Sequence, residues 1–317
     1  MNDPSPPTRT AHPERVGYLL GIGAYACWGF LPIYFKMVKS VEPIAIVAQR
    51  VVWSLLVLGL LVGAVRGWPA VRKALTDRRA RNLLALSALL IAVNWLFYVY
   101  AVNSGHVLAG SLGYYLNPLA NILLGRLFLK ERVSRLQWIA VAIAAAGIAV
   151  LAAGALGQLW ISLILCASFS SYGLVRKIVA ADALTGLAIE TGFLLPAALA
   201  YLFLTDVPGS SLLAPTPHVS LLLGLSGIIS TVPLLLFAGA ARRLPYSTLG
   251  MLQFLAPTLQ FLLAVFLYGE PFTRAHAIAF AAIWVVADND ATRSAKSSTA
   301  AARSSPASAS STTCSPT

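Results

Sequence analysis

Polar side chains stand at regular spacing inside stretches that are otherwise apolar. Tyr114, Asn117 and Asn121 recur at i, i+3 and i+7, so a helix puts all three on one face. Asn94 and Tyr98 share a face at i and i+4, and Gln253 and Gln260 lie seven apart. Arg50 and Glu190 are the only ionisable residues well inside apolar runs, and Lys36 sits at the end of another. Amides, phenols, a cation and a carboxylate are binding chemistry. They can hydrogen-bond a solute, and an intramembrane carboxylate can relay a proton, which makes Glu190 the expected proton carrier if transport is proton-coupled. They are not the equipment of bond cleavage. The chain has no His-Glu-x-x-His metal motif, nucleophile elbow or phosphate-cradling loop, and no paired carboxylates inside an apolar run. No catalytic residue, cofactor or metal site is therefore expected.

Composition says which elements must position these residues. Hydrophobic residues make up 58% of the chain and charged residues 11%, where soluble domains carry about 45–50% and 25%. That leaves too few charges to cover a soluble surface. The apolar residues fall in runs of about twenty, enough to cross a bilayer as a helix. Barrel strands would instead alternate over about ten residues, and these runs do not. The expected spans are 16–35, 44–65, 83–102, 107–129, 136–153, 158–175, 184–204, 219–240, 245–268 and 275–287. The fold class is thus an all-α polytopic membrane protein of ten transmembrane helices. A net charge of +12 could suggest nucleic acid, but the basic residues sit in short loops between apolar runs, so the expected partners are the lipid bilayer and a small-molecule solute. A homodimer is an open alternative.

The loops set orientation. Loops 2–3, 4–5, 6–7 and 8–9 hold thirteen basic residues, Arg176 and Lys177 among them, and the alternate loops hold three. Both termini are then expected in the cytoplasm. The sequence also says one thing twice. Ser111-Leu112-Gly113 and Thr248-Leu249-Gly250 each open a similar stretch, and Pro118 precedes Glu131 by thirteen residues as Pro257 precedes Glu270. In that register Tyr114, Asn117 and Asn121 fall on Gln253, Ala256 and Gln260, and a second alignment puts Lys36 on Lys177. Five spans per copy is odd, so the copies must be inverted, an arrangement suited to alternating access. The expected division is a tail 1–15, a first repeat 16–156, a second repeat 157–288 with a short last span, and a disordered Ser/Ala/Thr-rich tail 289–317.

Asn94, Tyr98, Tyr114, Asn117, Asn121, Gln253 and Gln260 are the candidates for a substrate path, and Arg50, Glu190 and Lys36 for charge coupling. The alternative for each stripe is interhelical hydrogen bonding that only holds the bundle together. Trp28 and Tyr34 are expected as belt aromatics at the membrane interface, and Glu131 as the residue that fixes the turn into the fifth span.

Several motifs carry a likeness. They are Trp28-Gly29 with Pro32-x-Tyr34-Phe35-Lys36, Gln49-Arg50-Val51-Val52-Trp53-Ser54, and Asn94-Trp95-x-x-Tyr98. They continue in Ser111-Leu112-Gly113-Tyr114-Tyr115-x-Asn117-Pro118, Glu190-Thr191 and Gln253-Phe254-x-x-Pro257-Thr258. Over about residues 15–287 the chain resembles the EamA family of the drug/metabolite transporter superfamily, and more closely its RarD-type permeases. Gln49 departs from the histidine common there. The resemblance implies a secondary transporter of a small organic solute or drug. The alternative is a non-transporting membrane scaffold or sensor, against which the repeated polar stripe argues.

Overall fold

A computed structural model describes residues 13–103, 107–133, 159–207 and 216–267, with residues 135, 138–139, 141–142, 145–146 and 157 between them. The expected tenth span, the tail 289–317, most of the fifth span and residues 1–12 lie outside the described residues. The described elements are all helical. They are α1 (Pro13–Met37), α2 (Pro43–Ala64), α3 (Trp68–Thr76), α4 (Arg78–Asn103), α5 (Val107–Phe128) and α6 (Leu159–Ile178). There follow α7 (Ala183–Leu204), α8 (Pro217–Ala241), α9 (Tyr246–Leu252), α10 (Leu255–Leu262) and a π-helical turn, Leu263–Leu267. Of these, α1, α2, α4, α6, α7 and α8 are long and apolar enough to cross a membrane.

Local chemistry sets the ends of these helices. Glu42 caps α2 by accepting from the Ala45 amide at 2.8 Å, with Pro43 in the first turn, where its missing N–H costs nothing. Asp182 caps α7 through the Thr185 amide at 2.9 Å. At the other end of α2 the Gly67 amide reaches back to Val62 O (2.8 Å) and the Arg66 amide to Gly63 O (3.0 Å). This closes a Schellman turn, with Arg66 in the left-handed region at φ 53°. The next residues read as loop in the sequence, yet they form α3. Its buried Val71 and Ala74, three apart, pack against α4 and α7, and Arg72 and Lys73 stay exposed.

The span expected over 245–268 is broken. Pro257 offers no N–H to the Gln253 carbonyl four residues back, and its ring crowds that carbonyl. The chain turns at Gln253-Phe254 and resumes as α10, and the Gln253 carbonyl takes the Ala256 amide instead, at 3.4 Å. Pro118 leaves α5 continuous.

Packing joins the two halves of the chain. α1 lies on α8 and α10, α2 on α7 and α8, α4 on α6 and α7, and α5 on α6 and α9. A core of Tyr25, Phe169, Tyr172, Phe237, Tyr246 and Leu249 fills the centre. The outside is apolar, with Leu19, Leu60, Leu127, Phe203 and Leu221 exposed, while Gln49, Asn94, Asn117, Asn121 and Glu190 are buried. That distribution, polar groups inside and leucine outside, belongs to a lipid setting.

Candidate functional site

Both halves of the chain wall one cavity of about 140 Å³. From the first half come Trp28 and Phe35 of α1, Arg50 of α2, Asn94, Trp95 and Tyr98 of α4, and Tyr114 of α5. From the second come Phe169 of α6, Leu234 of α8, Gln253 at the break, and Ala256, Pro257 and Gln260 of α10. Six of the ten candidates for the substrate path and charge coupling therefore meet here: Arg50, Asn94, Tyr98, Tyr114, Gln253 and Gln260. Asn117, Asn121, Glu190 and Lys36 do not line it.

Arg50 is the one cation among the described residues that line the cavity, and it is 9% exposed. Its Nε donates to Ser230 Oγ at 2.7 Å, and Ser230 in turn donates to Ser226 O at 2.6 Å. The guanidinium carbon stands 4.9 Å from the Trp95 ring centroid and 5.9 Å from that of Phe35, within cation–π range. A glycine brings these groups together. A Cβ on Gly227 would meet the Trp53 backbone at 2.5 Å, so only glycine lets α8 lie this close to α2. That approach sets Ser230, one turn on, within reach of Arg50.

The amides are held in place by neighbouring helices. Asn94 Nδ2 donates to Leu165 O (3.0 Å) and Ser168 Oγ (3.2 Å), and its Oδ1 accepts from the Tyr114 hydroxyl (3.3 Å). The Tyr98 and Tyr114 rings lie beside one another at 5.5 Å between centroids. Gln253 Oε1 accepts from Asn121 Nδ2 at 2.8 Å, so Asn121 orients Gln253 from behind. Gln260 Nε2 donates to Trp28 O at 3.0 Å. That is the carbonyl Pro32, four residues on, cannot engage. Asn117 is fully buried, and neither polar atom of its side chain has a partner among the described residues. Lys36 is exposed at the end of α1.

The expected place of Trp28 and Tyr34 at the membrane interface is corrected. Trp28 packs in the cavity wall against Tyr25, Phe169 and Phe237 at 5.6–5.7 Å between ring centroids. Tyr34 is buried and donates to Leu222 O at 3.3 Å. Gly29 explains the difference: a Cβ there would meet Leu259 at 2.6 Å, so its absence lets α10 cover the face that carries Trp28.

Arg176 is a second correction. The sequence reading placed it among loop cations. It belongs to α6, is fully buried and forms an ion pair with Glu190 at 3.2 Å. Ser87 Oγ donates to the same Glu190 oxygen at 2.6 Å, and Arg176 Nη2 donates to Ala183 O at 3.2 Å. Gly186 leaves the room, since a Cβ there would stand 1.9 Å from Arg176 Nη1. Arg50 and Glu190 are thus kept apart, each with its own partners.

A third cluster lies where α5, α6, α8 and α9 end or begin. Lys130, at φ 54°, turns the chain back so that the Glu131 amide donates to Gly125 O at 3.0 Å. The Glu131 carboxylate then reaches the other half of the chain. It accepts from the Tyr246 amide (2.6 Å), the Ser247 amide (3.0 Å) and Ser247 Oγ (3.0 Å). Lys177 stands 3.9 Å from that carboxylate and donates to Ala241 O at 3.1 Å and to Leu244 O. Glu131 therefore does more than fix a turn: it joins the two halves at one end.

Sequence reasoning gave no site role to Phe35, Trp95, Phe169, Ser230 or Arg176. Ser226 and Ser230, four apart in an apolar run, were a usable signal for Arg50's partner. Nothing in the spacing of Arg176 and Glu190, fourteen apart on different helices, announces their pair.

Residues 15–153 match the model of the EamA-like transporter family. An uncharacterized transporter of Vibrio cholerae is 47% identical over 271 residues, 85% of this chain and 90% of that one. The protein RarD of Salmonella typhimurium is 45% identical over 283 residues (87% and 94% of the two chains), and that of Escherichia coli K12 is 44% identical over 283 residues (87% and 93%). One solved crystal structure, 20% identical, superposes with a TM-score of 0.68 over 86% of this chain and 96% of its own, a likeness of fold.

Proposed function

The chain belongs to the EamA-like transporter family as a RarD-type permease and is a polytopic membrane transporter; from that premise we propose that it moves a small organic solute by alternating access. The observation that carries this reading is a cavity walled by both halves of the chain, with a tie between the same halves at one end. The solute would sit among Arg50, Asn94, Tyr98, Tyr114, Gln253 and Gln260, beside a broken helix, as binding sites of inverted-repeat transporters do.

In this reading ten spans form two inverted repeats, 16–156 and 157–288. The packing supports it. Exchanging α1 with α6, α2 with α7, α4 with α8, and α5 with α9–α10 turns the α1–α8 contact into α6–α4, α5–α6 into α10–α1, and α2–α8 into α7–α4. The α2–α7 and α5–α9 contacts map onto themselves. The α6–α8 contact has no comparable counterpart among the described residues. The basic loops support an inner membrane with the termini in the cytoplasm, and they do so without Arg176. The end tied by Glu131 and Lys177 is then the cytoplasmic one, and its closure leaves the cavity to the outer side. Absence of a nucleotide-binding loop from the sequence leaves an ion gradient, a solute gradient or exchange as the driving force.

One experiment tests the access mechanism. A single cysteine replaces Gln253 in a chain whose Cys27, Cys166 and Cys314 are changed to serine. Impermeant thiol reagents should label position 253 from the outer side, and adding Glu131→Gln should raise labelling from the cytoplasmic side several-fold. A thiol at 253 that reacts from neither side in either protein sinks the proposal.

A further inference from the structure

We infer that the cavity takes a small organic anion, an acid group carried on a flat apolar body, with Arg50 as the group that recognises its charge. This rests on the transporter reading and names the substrate class of the same site. The first observation is an imbalance of charge. Arg50 is about nine-tenths buried in an apolar wall. The ion pairs among the described residues are Arg176–Glu190 and Lys177–Glu131, and neither involves it. Its Nε donates to a neutral hydroxyl, Ser230, and its guanidinium carbon stands within cation–π range of the Trp95 and Phe35 rings. Elsewhere in this bundle a buried arginine is neutralised: Arg176 has Glu190. A permanent cation inside a membrane protein is costly, and such residues mark substrate or ion pathways. A guanidinium presents a planar fork that matches a carboxylate or phosphate oxygen pair. The counter-charge that Arg50 lacks among the described residues is the one the solute brings.

The second observation is the character of the other walls. Among the described residues, no Asp or Glu lines the cavity. A zwitterion would leave its ammonium without a carboxylate, so an anion fits better than an amino acid. Asn121 occupies one lone pair of the Gln253 carbonyl oxygen, and the amide N–H groups of Gln253 add donors. Trp28, Tyr98, Tyr114 and Phe169 supply aromatic surface. The volume, about 140 Å³, is close to the ~150 Å³ of a cavity that holds one benzene ring. A monocyclic aromatic acid is the natural size.

The test uses the full chain, purified in detergent and reconstituted in liposomes. Benzoate and phenylphosphonate are compared with the neutral benzamide and benzyl alcohol, the cationic benzylamine and the zwitterionic phenylalanine. The anions should raise the melting temperature and exchange in counterflow, with at least ten-fold lower half-saturation than the neutral and cationic analogues. Arg50→Gln should lose that preference and Arg50→Lys should keep part of it. Should Arg50→Gln fail to fold, Arg50→Lys carries the test through a measurable loss of preference between benzoate and benzamide. Anions that bind no better than their neutral counterparts, or a preference untouched in both variants, overturn the inference. If neutral or zwitterionic solutes exchange while anions do not, this inference falls and the transporter reading stands. If no solute of any charge exchanges, the transporter reading falls with it.

Discussion

At the scale of single residues, the two buried arginines of the described bundle have opposite surroundings, and their depth in the sequence does not reveal it. Arg50 is legible as an intramembrane cation because apolar residues flank it for several turns. Arg176 ends an apolar run, where a cation normally reaches for the interface, and it reads as a loop charge for that reason. Only the fold shows that α7 turns Glu190 toward it. This changes what a substitution at Glu190 reports. Glu190→Gln removes a proton-carrying group and also strands a fully buried guanidinium. Breaking a buried pair in that way costs about 3–5 kcal/mol, whereas replacing both partners with apolar residues is often neutral. Glu190→Gln should therefore lower the melting temperature of the solubilised protein by several degrees, and Arg176→Met with Glu190→Leu should recover most of the loss. Uptake driven by a pH gradient is then measured in the double variant. Coupling that stays lost in a stable protein assigns the proton to Glu190, and coupling that returns removes it from the mechanism. A single variant as stable as the parent would show that the pair contributes nothing.

At the scale of elements, helix existence followed from apolar runs and helix detail did not. The spans expected at 44–65 and 184–204 match α2 and α7 to within a residue, because Glu42-Pro43 and Asp182 are capping signals that the sequence displays. α3 escaped because nine residues with two buried side chains make a weak apolar pattern beside twenty-residue neighbours. The break at Gln253 was half visible. Pro257 announces a freed carbonyl in either half, but its equivalent Pro118 leaves α5 unbroken, so the proline alone does not decide the outcome. The end of α2 is a feature the sequence hides, since an arginine occupies the position a glycine usually takes in a Schellman turn. A left-handed conformation costs a residue with a Cβ about 1–2 kcal/mol. Arg66→Gly should stabilise the protein by up to about 1 kcal/mol, after the extra freedom glycine gains in the unfolded chain is subtracted. Thermal unfolding of the solubilised protein checks this, with Arg66→Ala as the control that should give no gain. A lower melting temperature for the glycine variant would mean that the Arg66 side chain has contacts worth more than the strain.

At the scale of the whole molecule, the charge of the cargo decides which way the membrane pushes it. A unit charge crossing a membrane exchanges about 2.3 kcal/mol with each 100 mV of potential. An inside-negative potential therefore drives a lone organic anion outward, and a carrier that binds it through Arg50 and adds no proton works as an exporter under that potential. The same carrier taking one proton with each anion moves no net charge, ignores the potential and follows the pH gradient instead. The two cases separate in liposomes that hold a potassium gradient made permeant by valinomycin, with benzoate as the probe and equal pH on both sides. For the lone anion the steady ratio of outside to inside benzoate should rise by up to about fifty-fold per 100 mV, the factor that 2.3 kcal/mol sets at room temperature. Arg50→Gln, which lacks the charge that recognises the acid, should show no such shift. A ratio in the parent protein that is flat in potential but tracks an imposed pH gradient would replace export by the potential with proton-linked movement. The double variant at Arg176 and Glu190 would then show whether that proton travels on the one carboxylate buried in the described bundle.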